Sequence, residues 1–524
     1  MLGGPFRHSV LGAEAVYDVM VRSLSMCVRC LALVLSAAGV ARAQASERAS
    51  PLGGRTALMG NTGVALGRDG AAPFINPATI VGIDDRSIAF SVNFLSIQAN
   101  RFRRFHRPAG VDPRFARVQL DDNTVWSRRI TALPDTICLF IAFSALNGSG
   151  NGAKEDPAPW RGGRQKLALC LANVESDDTI APALFARGQT PGGATTQAIS
   201  IARKWTRAQV GPTYSAQINR RLALGASLQG AYTSMSFIQD ASSLTAAADG
   251  GAVESALGMA GNGSSLDLVG IVGATYELRA LTFGASVQLP ALHVLGSYAA
   301  SLQRTFNATD AHQSILVTGS GSYRAKPPIR VSAGVGTKND RWTVEADASF
   351  DFGQSRAVGT TLQTEALSLT DGTLSSSANE ATDSLRTQPT LNGAVGGEYF
   401  ITPRLSVLAG IFTNLSAVPK LEAKAVPSLG NLLPARSHRA GLSIGLGSYG
   451  TGGELLFGTQ LGYGWGEMLA PNVYAAPSDW SVVKTQSFSA LFVLAGNTNL
   501  RSIKRAIEGV RDAVTPAAEP QRGP

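Results

Sequence analysis

From residue 87 onward, apolar and polar side chains alternate with period two. In Leu222–Thr233, the residues Leu222, Leu224, Ala226, Leu228 and Tyr232 share one face, and Ser227, Gln229 and Thr233 share the other. Trp342–Phe350 alternates more sharply: Trp342, Val344, Ala346, Ala348 and Phe350 point one way, Thr343, Glu345, Asp347 and Ser349 the other. Such alternation marks strands with one apolar and one polar face. A further strand, Phe488–Leu494, is apolar on both faces.

A β-sandwich also alternates, so the connections decide. Tight links at 218–221, 277–280, 337–341, 401–404 and 448–453 alternate with long polar links near 238–265, 302–313, 354–388, 416–436 and 466–484. Short turns at one end and long loops at the other characterise outer-membrane barrels. Strands traced on this rule cover 87–97, 135–144, 165–176, 195–218, 222–237, 266–277, 281–301, 314–337, 342–353, 389–400, 405–415, 437–447, 454–465 and 484–496. The expected fold is therefore all-β: a transmembrane, antiparallel, up-and-down β-barrel of about 14 strands. Lys326–Pro328 falls within one of these strands and demands a bulge or bend. The link 145–164 is long for its place in the alternation, and Asn499–Val514 carries apolar residues at helical spacing, predicting a short helix after the last strand.

Composition agrees with this picture. Of 524 residues, 44% are hydrophobic and 16% charged, with 57 glycines. That is too apolar for disorder and below the usual charge content of about 25%. The net charge of +9 is spread along the chain, so it predicts no nucleic-acid partner. Arg22 and Arg29, the apolar run Cys30–Val40 and the Ala41–Ala43 site together read as a secretory signal over 1–43, with Met20 as an alternative start and Gln44 as the first mature residue. The apolar run is shorter than the ~20 residues of a membrane helix. Cys138 and Cys170 then remain, free or paired.

Chemistry-bearing motifs are sparse. Gly445–Gly450 matches G-x-G-x-x-G but lies between strands, without the βαβ setting that dinucleotide binding requires. His8, His106, His293, His312 and His438 are scattered, and no Cys/His spacing suits a metal, so neither catalysis, metal nor cofactor is expected. Arg101, Arg103, Arg104 and Arg107 interleave with Phe102 and Phe105 in the expected first external loop. Guanidinium forks suit carboxylate or phosphate. Such a loop either captures an amphipathic anion or grips outer-leaflet lipopolysaccharide.

The segment Gly53–Ile83 resembles the N-terminal hatch of the FadL/TodX family of outer-membrane transporters for hydrophobic compounds. Asp69, Phe74, Asn76, Pro77 and Ala78 occupy the family's acidic, aromatic and Asn-Pro-Ala positions. Units such as 337–350 and 401–412 are similar to that family's turn-and-strand units. The resemblance implies a hatch over 44–86 inside a barrel over 87–497; the residues beyond, 498–524, read on their own spacing as a periplasmic tail. It also implies passive, hatch-gated uptake of fatty acid-like or hydrocarbon substrates that leave sideways into the bilayer. The expected partners are outer-membrane lipids, lipopolysaccharide and the hydrophobic substrate, the chain being a monomer. Two features depart from the family: the third strand, 164–176, has neither Gly nor Pro to mark the kink of the side exit, and the chain continues past the last strand. A surface-interaction barrel and a lipid-acting barrel enzyme are the alternative readings.

Overall fold

A computed structural model describes residues 51–83, 87–103, 123–130, 135–142, 165–190, 193–246, 251–308, 311–422, 435–450, 452–472 and 479–499. The expected signal, the link 145–164, Arg104, Arg107 and the helix after the last strand lie outside them.

Two short helices, α1 (Arg55–Leu58) and α2 (Ala72–Ile75), and a 3-10 turn (Pro77–Gly82) precede the strands. The strands are β1 (Ser87–Arg103), β2 (Asn123–Ile130), β3 (Thr136–Ala142), β4 (Gln165–Thr190), β5 (Gly193–Gln217), β6 (Leu222–Ala246) and β7 (Ala252–Leu278). Then come β8 (Leu281–Gln288), β9 (Leu292–Ala308), β10 (Ala311–Ala325), β11 (Arg330–Lys338), β12 (Trp342–Asp351) and β13 (Val358–Thr370). The series ends with β14 (Thr373–Leu385), β15 (Thr390–Thr402), β16 (Leu405–Asn414), β17 (Arg436–Gly450), β18 (Gly453–Asn472) and β19 (Asp479–Asn499).

All pairings are antiparallel, and β19 closes onto β1, from Ser87↔Asn499 to Arg103↔Lys484. Five strand pairs are single staves interrupted by a break, because both members lie along the same neighbour. Thus β2 and β3 share β1, and β8 and β9 share β7. Likewise β10–β11, β12–β13 and β14–β15 each continue one stave. Among the described residues the ring therefore has fourteen staves, matching the trace from alternation.

Among the described residues, the tight links read from sequence are turns. Asn219 Oδ1 accepts from the backbone N–H of Arg221 (2.8 Å) and Leu222 (2.9 Å), and Asn339 Oδ1 does the same for Arg341 and Trp342 (both 2.8 Å). A short side chain folded onto its own backbone satisfies the groups a turn exposes. At the opposite end the expectation of long loops needs correction: most of 238–265, 302–313 and 354–388 is paired strand. The β13–β14 hairpin closes on Asp371 and Gly372 with φ of 45° and 83°, the left-handed pair that a two-residue turn requires. These extensions escaped notice because both their faces are polar; β14 is exposed along nearly its whole length.

The alternation is inverted relative to a soluble protein. Leu228 and Tyr232 are 56% and 52% exposed, whereas their neighbours Gln229 and Thr233 are fully buried. Leu442, Ile444 and Leu446 likewise face outward while Ser443 faces in. An apolar outer belt around a polar-lined interior suits hydrocarbon as solvent, and ring closure leaves no unpaired edge there.

Four adjacent staves break at one level: at 289–291, 326–329, 352–357 and 386–389. Pro290, Pro327, Pro328 and Pro389 lack the N–H that a ladder needs. Side-chain amides serve the carbonyls there instead: Gln288 Nε2 donates to Pro328 O (2.8 Å) and Gln354 Nε2 to Pro327 O (3.0 Å). The interruption expected at Lys326–Pro328 is one member of this line.

Candidate functional site

Residues 51–83 are almost wholly buried, and they touch inward-facing side chains on every side of the ring. Ser443 of β17 accepts from Gly60 N (2.9 Å) and donates to Leu58 O (2.8 Å). Ser227 of β6 donates to Pro73 O (2.8 Å), and Ser215 of β5 donates to Ala78 O (3.2 Å). Arg55 pairs with Glu398 of β15, which also accepts from Ser406 Oγ (2.7 Å). Such contacts place this inner segment within the lumen, at the tight-turn end.

The densest attachment is to β12. Asp347 Oδ2 accepts from Gly63 N (2.7 Å) and Val64 N (3.0 Å), while Glu345 Oε1 accepts from Ala65 N (2.6 Å) and Leu66 N (3.0 Å). Four consecutive backbone donors, in a stretch with no helix to satisfy them, thus end on two wall carboxylates.

Close approach of segment and wall depends on glycine. A Cβ at Gly225, Gly273, Gly284, Gly396 or Gly410 would collide with Pro77, Asn76, Val64, Met59 or Gly60 respectively. These five glycines sit on β6, β7, β8, β15 and β16, so the missing side chains form a seat for the segment around much of the ring.

The five residues singled out in the segment are all buried, but they do different things. Asn76 is the bridge. Its Nδ2 donates to Val64 O (2.6 Å) and to Ala274 O of β7 (3.1 Å), and its Oδ1 accepts from Ala78 N (3.1 Å). Pro77 opens the 3-10 turn, and Ala78 rests against the strand at Gly225. Phe74 packs with Ile75, Ile80, Ala89, Phe140 and Ala168, fixing the segment to β1, β3 and β4. Among the described residues, Asp69 makes no bond to the wall. It accepts from Thr56 N (2.8 Å), Thr56 Oγ1 (3.0 Å) and Ala71 N (3.1 Å), tying the segment to itself. Burial raises its carboxyl above the usual range, against the opposing pull of those bonds.

Beyond the segment, toward the external end, the lumen changes character. Phe102, Ile199, Ile201, Phe237, Leu257, Tyr298, Tyr323, Leu362, Met468 and Val483 form one apolar cluster contributed by strands all round the ring. Between the two zones lies a polar contact: Arg207 of β5 pairs with Glu175 of β4 (3.1 Å) and donates to Thr233 Oγ1 (2.9 Å).

The third stave is irregular beside that pair. The β4–β5 register shifts between Asn173 and Glu175, and Val174 and Glu175 are buried in succession. The stretch 164–176 has no Gly or Pro, yet it is irregular, since a bulge tolerates ordinary residues; β4 runs on through Pro182, where the register shifts again between Ala181 and Leu184. β3 pairs β4 only as far as Ala172, and among the described residues no ladder joins β2 to β4 beyond it. Cys138 and Cys170, left open from sequence, face each other across β3 and β4 as a disulfide just short of that point.

Arg101 and Arg103 lie on β1 rather than in a loop, since that strand runs to Arg103. Arg101 is exposed, opposite Gln486 of β19. Phe102 turns inward into the apolar cluster.

One polar cluster combines Ser, Asp and His. Ser265 Oγ donates to Asp267 Oδ2 (2.8 Å), and His293 Nδ1 lies 3.0 Å from Asp267 Oδ1. Serine and aspartate approach the same imidazole nitrogen, unlike a nucleophile–base relay, in which the two use opposite nitrogens.

The sequence reading identified Asn76-Pro77-Ala78 but gave no role to Glu345, Asp347, Ser443 or the wall glycines. The available signal was carboxylates on the inward face of an alternating strand, where water does not solvate them freely.

No family model and no curated protein matches the chain. Among solved structures it is similar to the Pseudomonas putida toluene transporter TodX at 15% identity, covering 86% of this chain and 98% of that one, with a TM-score of 0.49. It is similar at 14% identity to a Pseudomonas aeruginosa FadL homologue (87% and 100%, TM-score 0.49) and to the CymD monoaromatic hydrocarbon channel (86% and 97%, TM-score 0.45).

Proposed function

We propose that the chain is an outer-membrane passive uptake channel for hydrophobic compounds, such as long-chain fatty acids or hydrocarbons, and that residues 51–83 are its hatch. The observation that carries this reading is the stacking of an apolar, ring-wide cluster on a segment held by reversible polar bonds. A water-filled pore offers a greasy molecule nothing, whereas transfer to apolar surroundings gains about 0.8 kcal/mol per CH₂. The upper cluster supplies those surroundings and the segment closes the aqueous path beneath them.

In this mechanism substrate enters at the external end and displaces contacts within the apolar cluster. It then leaves sideways beside the irregular third stave. The bulge at Val174 and the missing β2–β4 ladder support that exit, which hydrocarbon would reach without crossing the hatch. Asn76 and the Glu345/Asp347 pair hold the hatch; Pro77 and Ala78 set its turn, Phe74 packs it against β1, β3 and β4, and Asp69 keeps its shape. Arg101 and Arg103, together with Arg104 and Arg107, attract the carboxylate of an anionic substrate at the entrance, or alternatively the phosphates of lipopolysaccharide.

Uptake of labelled long-chain fatty acid and of toluene by cells with and without the gene tests the proposal. Uptake above the gene-free control is expected; equal rates for both compounds would contradict it and favour a surface-interaction barrel.

A further inference from the structure

Two hydrogen-bond donors in the apolar cluster lack a partner. On β6, Ile238 and Asp240 are exposed, so Gln239 between them faces the lumen, where it is only 3% exposed. Its neighbours are Phe237 and Ala241 along its own strand, Ile201 directly opposite on β5 and Met259 directly opposite on β7. All four belong to the cluster. Gln239 Nε2 is buried, and among the described residues it has no acceptor. The second donor is Trp205 of β5, which packs against the same cluster and faces Met235, four residues deeper on β6 than Gln239. Its Nε1 is buried and likewise has no acceptor among the described residues. The Arg207 guanidinium lies over the Trp205 ring, 5.8 Å from its centroid, a contact that uses the face of the indole and not its N–H edge.

A buried donor without a partner costs the full desolvation of that group, whereas an apolar side chain of the same size would fill the space at no such cost. The indole can only donate, so the missing partner is an acceptor. Water suits the place poorly. Buried waters make about three hydrogen bonds each, and the side chains around Gln239 offer a water almost nothing beyond the amide itself. A hydrocarbon leaves both donors unpaired. An ionised carboxylate loses far more hydration on entering apolar surroundings than a neutral carbonyl does. Arg207, beside Trp205, is already engaged by Glu175 (3.1 Å), Thr233 Oγ1 (2.9 Å) and Ala325 O (3.2 Å).

We infer that the apolar compartment is built for hydrophobic compounds carrying a neutral carbonyl oxygen, an ester or a ketone, and that Gln239 and Trp205 are the donors that select them. This rests on the reading of the cluster as the substrate compartment. Gln239 lies nearer the external end and Trp205 deeper, so the two are successive stations for one carbonyl moving inward along β5 and β6. The apolar remainder of the ligand meets the aliphatic and aromatic side chains around them. Affinity for the apolar part is shared by every greasy molecule; the two donors add discrimination.

Binding to the full chain in uncharged detergent, with empty micelles as the reference, tests this. The probes are methyl dodecanoate, ionised dodecanoate and pentadecane. Gln239→Leu exchanges the amide for an apolar side chain of similar size. It should weaken methyl dodecanoate binding about threefold to tenfold, the worth of one neutral hydrogen bond, and leave pentadecane binding equal or tighter. Trp205→Phe should shift the balance in the same direction, and thermal melting verifies that both variants are folded. The indole N–H resonance of Trp205, identified by its loss in Trp205→Phe, should move downfield with the ester and stay in place with pentadecane, which a change in packing alone would not produce. Equal weakening of ester and pentadecane in both variants, or tighter binding of dodecanoate than of its ester, would overturn the inference and leave the substrate compartment standing. Absence of binding by all three probes would overturn the compartment and this inference together.

Discussion

The two halves of the lumen are built on opposite principles. At the turn end, segment and wall meet through directed polar bonds: two carboxylates on four amides, one asparagine on three groups, and glycines that admit backbone to backbone. At the external end, the same ring is filled mainly by aromatic and aliphatic side chains packed against one another. Directed bonds fix one position and release it as a unit. Apolar contacts yield by small steps and accept any ligand of suitable shape. A gate needs the first property and a broad hydrophobic site needs the second, which is why the division supports a hatch below a substrate compartment.

Perturbations of the turn end should change ion leakage, and perturbations of the external end should change uptake alone. The largest effect is expected for Glu345→Ala with Asp347→Ala. Four buried amides lose their acceptors at ~1–3 kcal/mol each, so open probability in planar bilayers should rise by more than a hundredfold. Gly273→Val comes next, because a side chain there displaces Asn76. Strain of ~1–3 kcal/mol should raise leakage about tenfold or more while leaving the heat-stable barrel band on gels. Asn76→Ala removes three bonds within an otherwise intact seat; it should raise leakage by roughly tenfold and shift the melting temperature little. Phe237→Ser, at the other end, should slow labelled fatty acid uptake several-fold, equivalent to about 1 kcal/mol of lost apolar contact, with conductance unchanged. The smallest effect is expected for Arg101→Gln: a reduction of about threefold or less in uptake of a carboxylated substrate, and none for toluene, since exposed charges contribute ~1 kcal/mol or less. Uptake loss from a turn-end variant without leakage would blur the division. Leakage from Phe237→Ser would break it.

The stave count and the tight turns were legible in the sequence because a bilayer imposes period-two alternation on every strand that crosses it. Leu224, Leu228 and Tyr232 against Ser227, Gln229 and Thr233 sufficed to orient β6. The external extensions were not legible, since residues such as Thr373–Leu385 have water on both faces and lose the contrast. Asn76, Pro77 and Ala78 stood out because their segment resembles a hatch motif. Their partners did not, because Ala274 contributes only a carbonyl and Gly273 only an absence. Nor was the bulge at Val174 visible, since no residue type marks it. Arg101 and Arg103 were placed in a loop because their charge masked the pairing of β1 with β19.

The central claim is that residues 51–83 close the lumen. Single-channel recording in planar bilayers, comparing the intact chain with one lacking 44–84, tests it most directly. The account predicts a nearly silent intact barrel and a large, steady conductance once the segment is gone. Equal conductance from two equally well-folded barrels would contradict it.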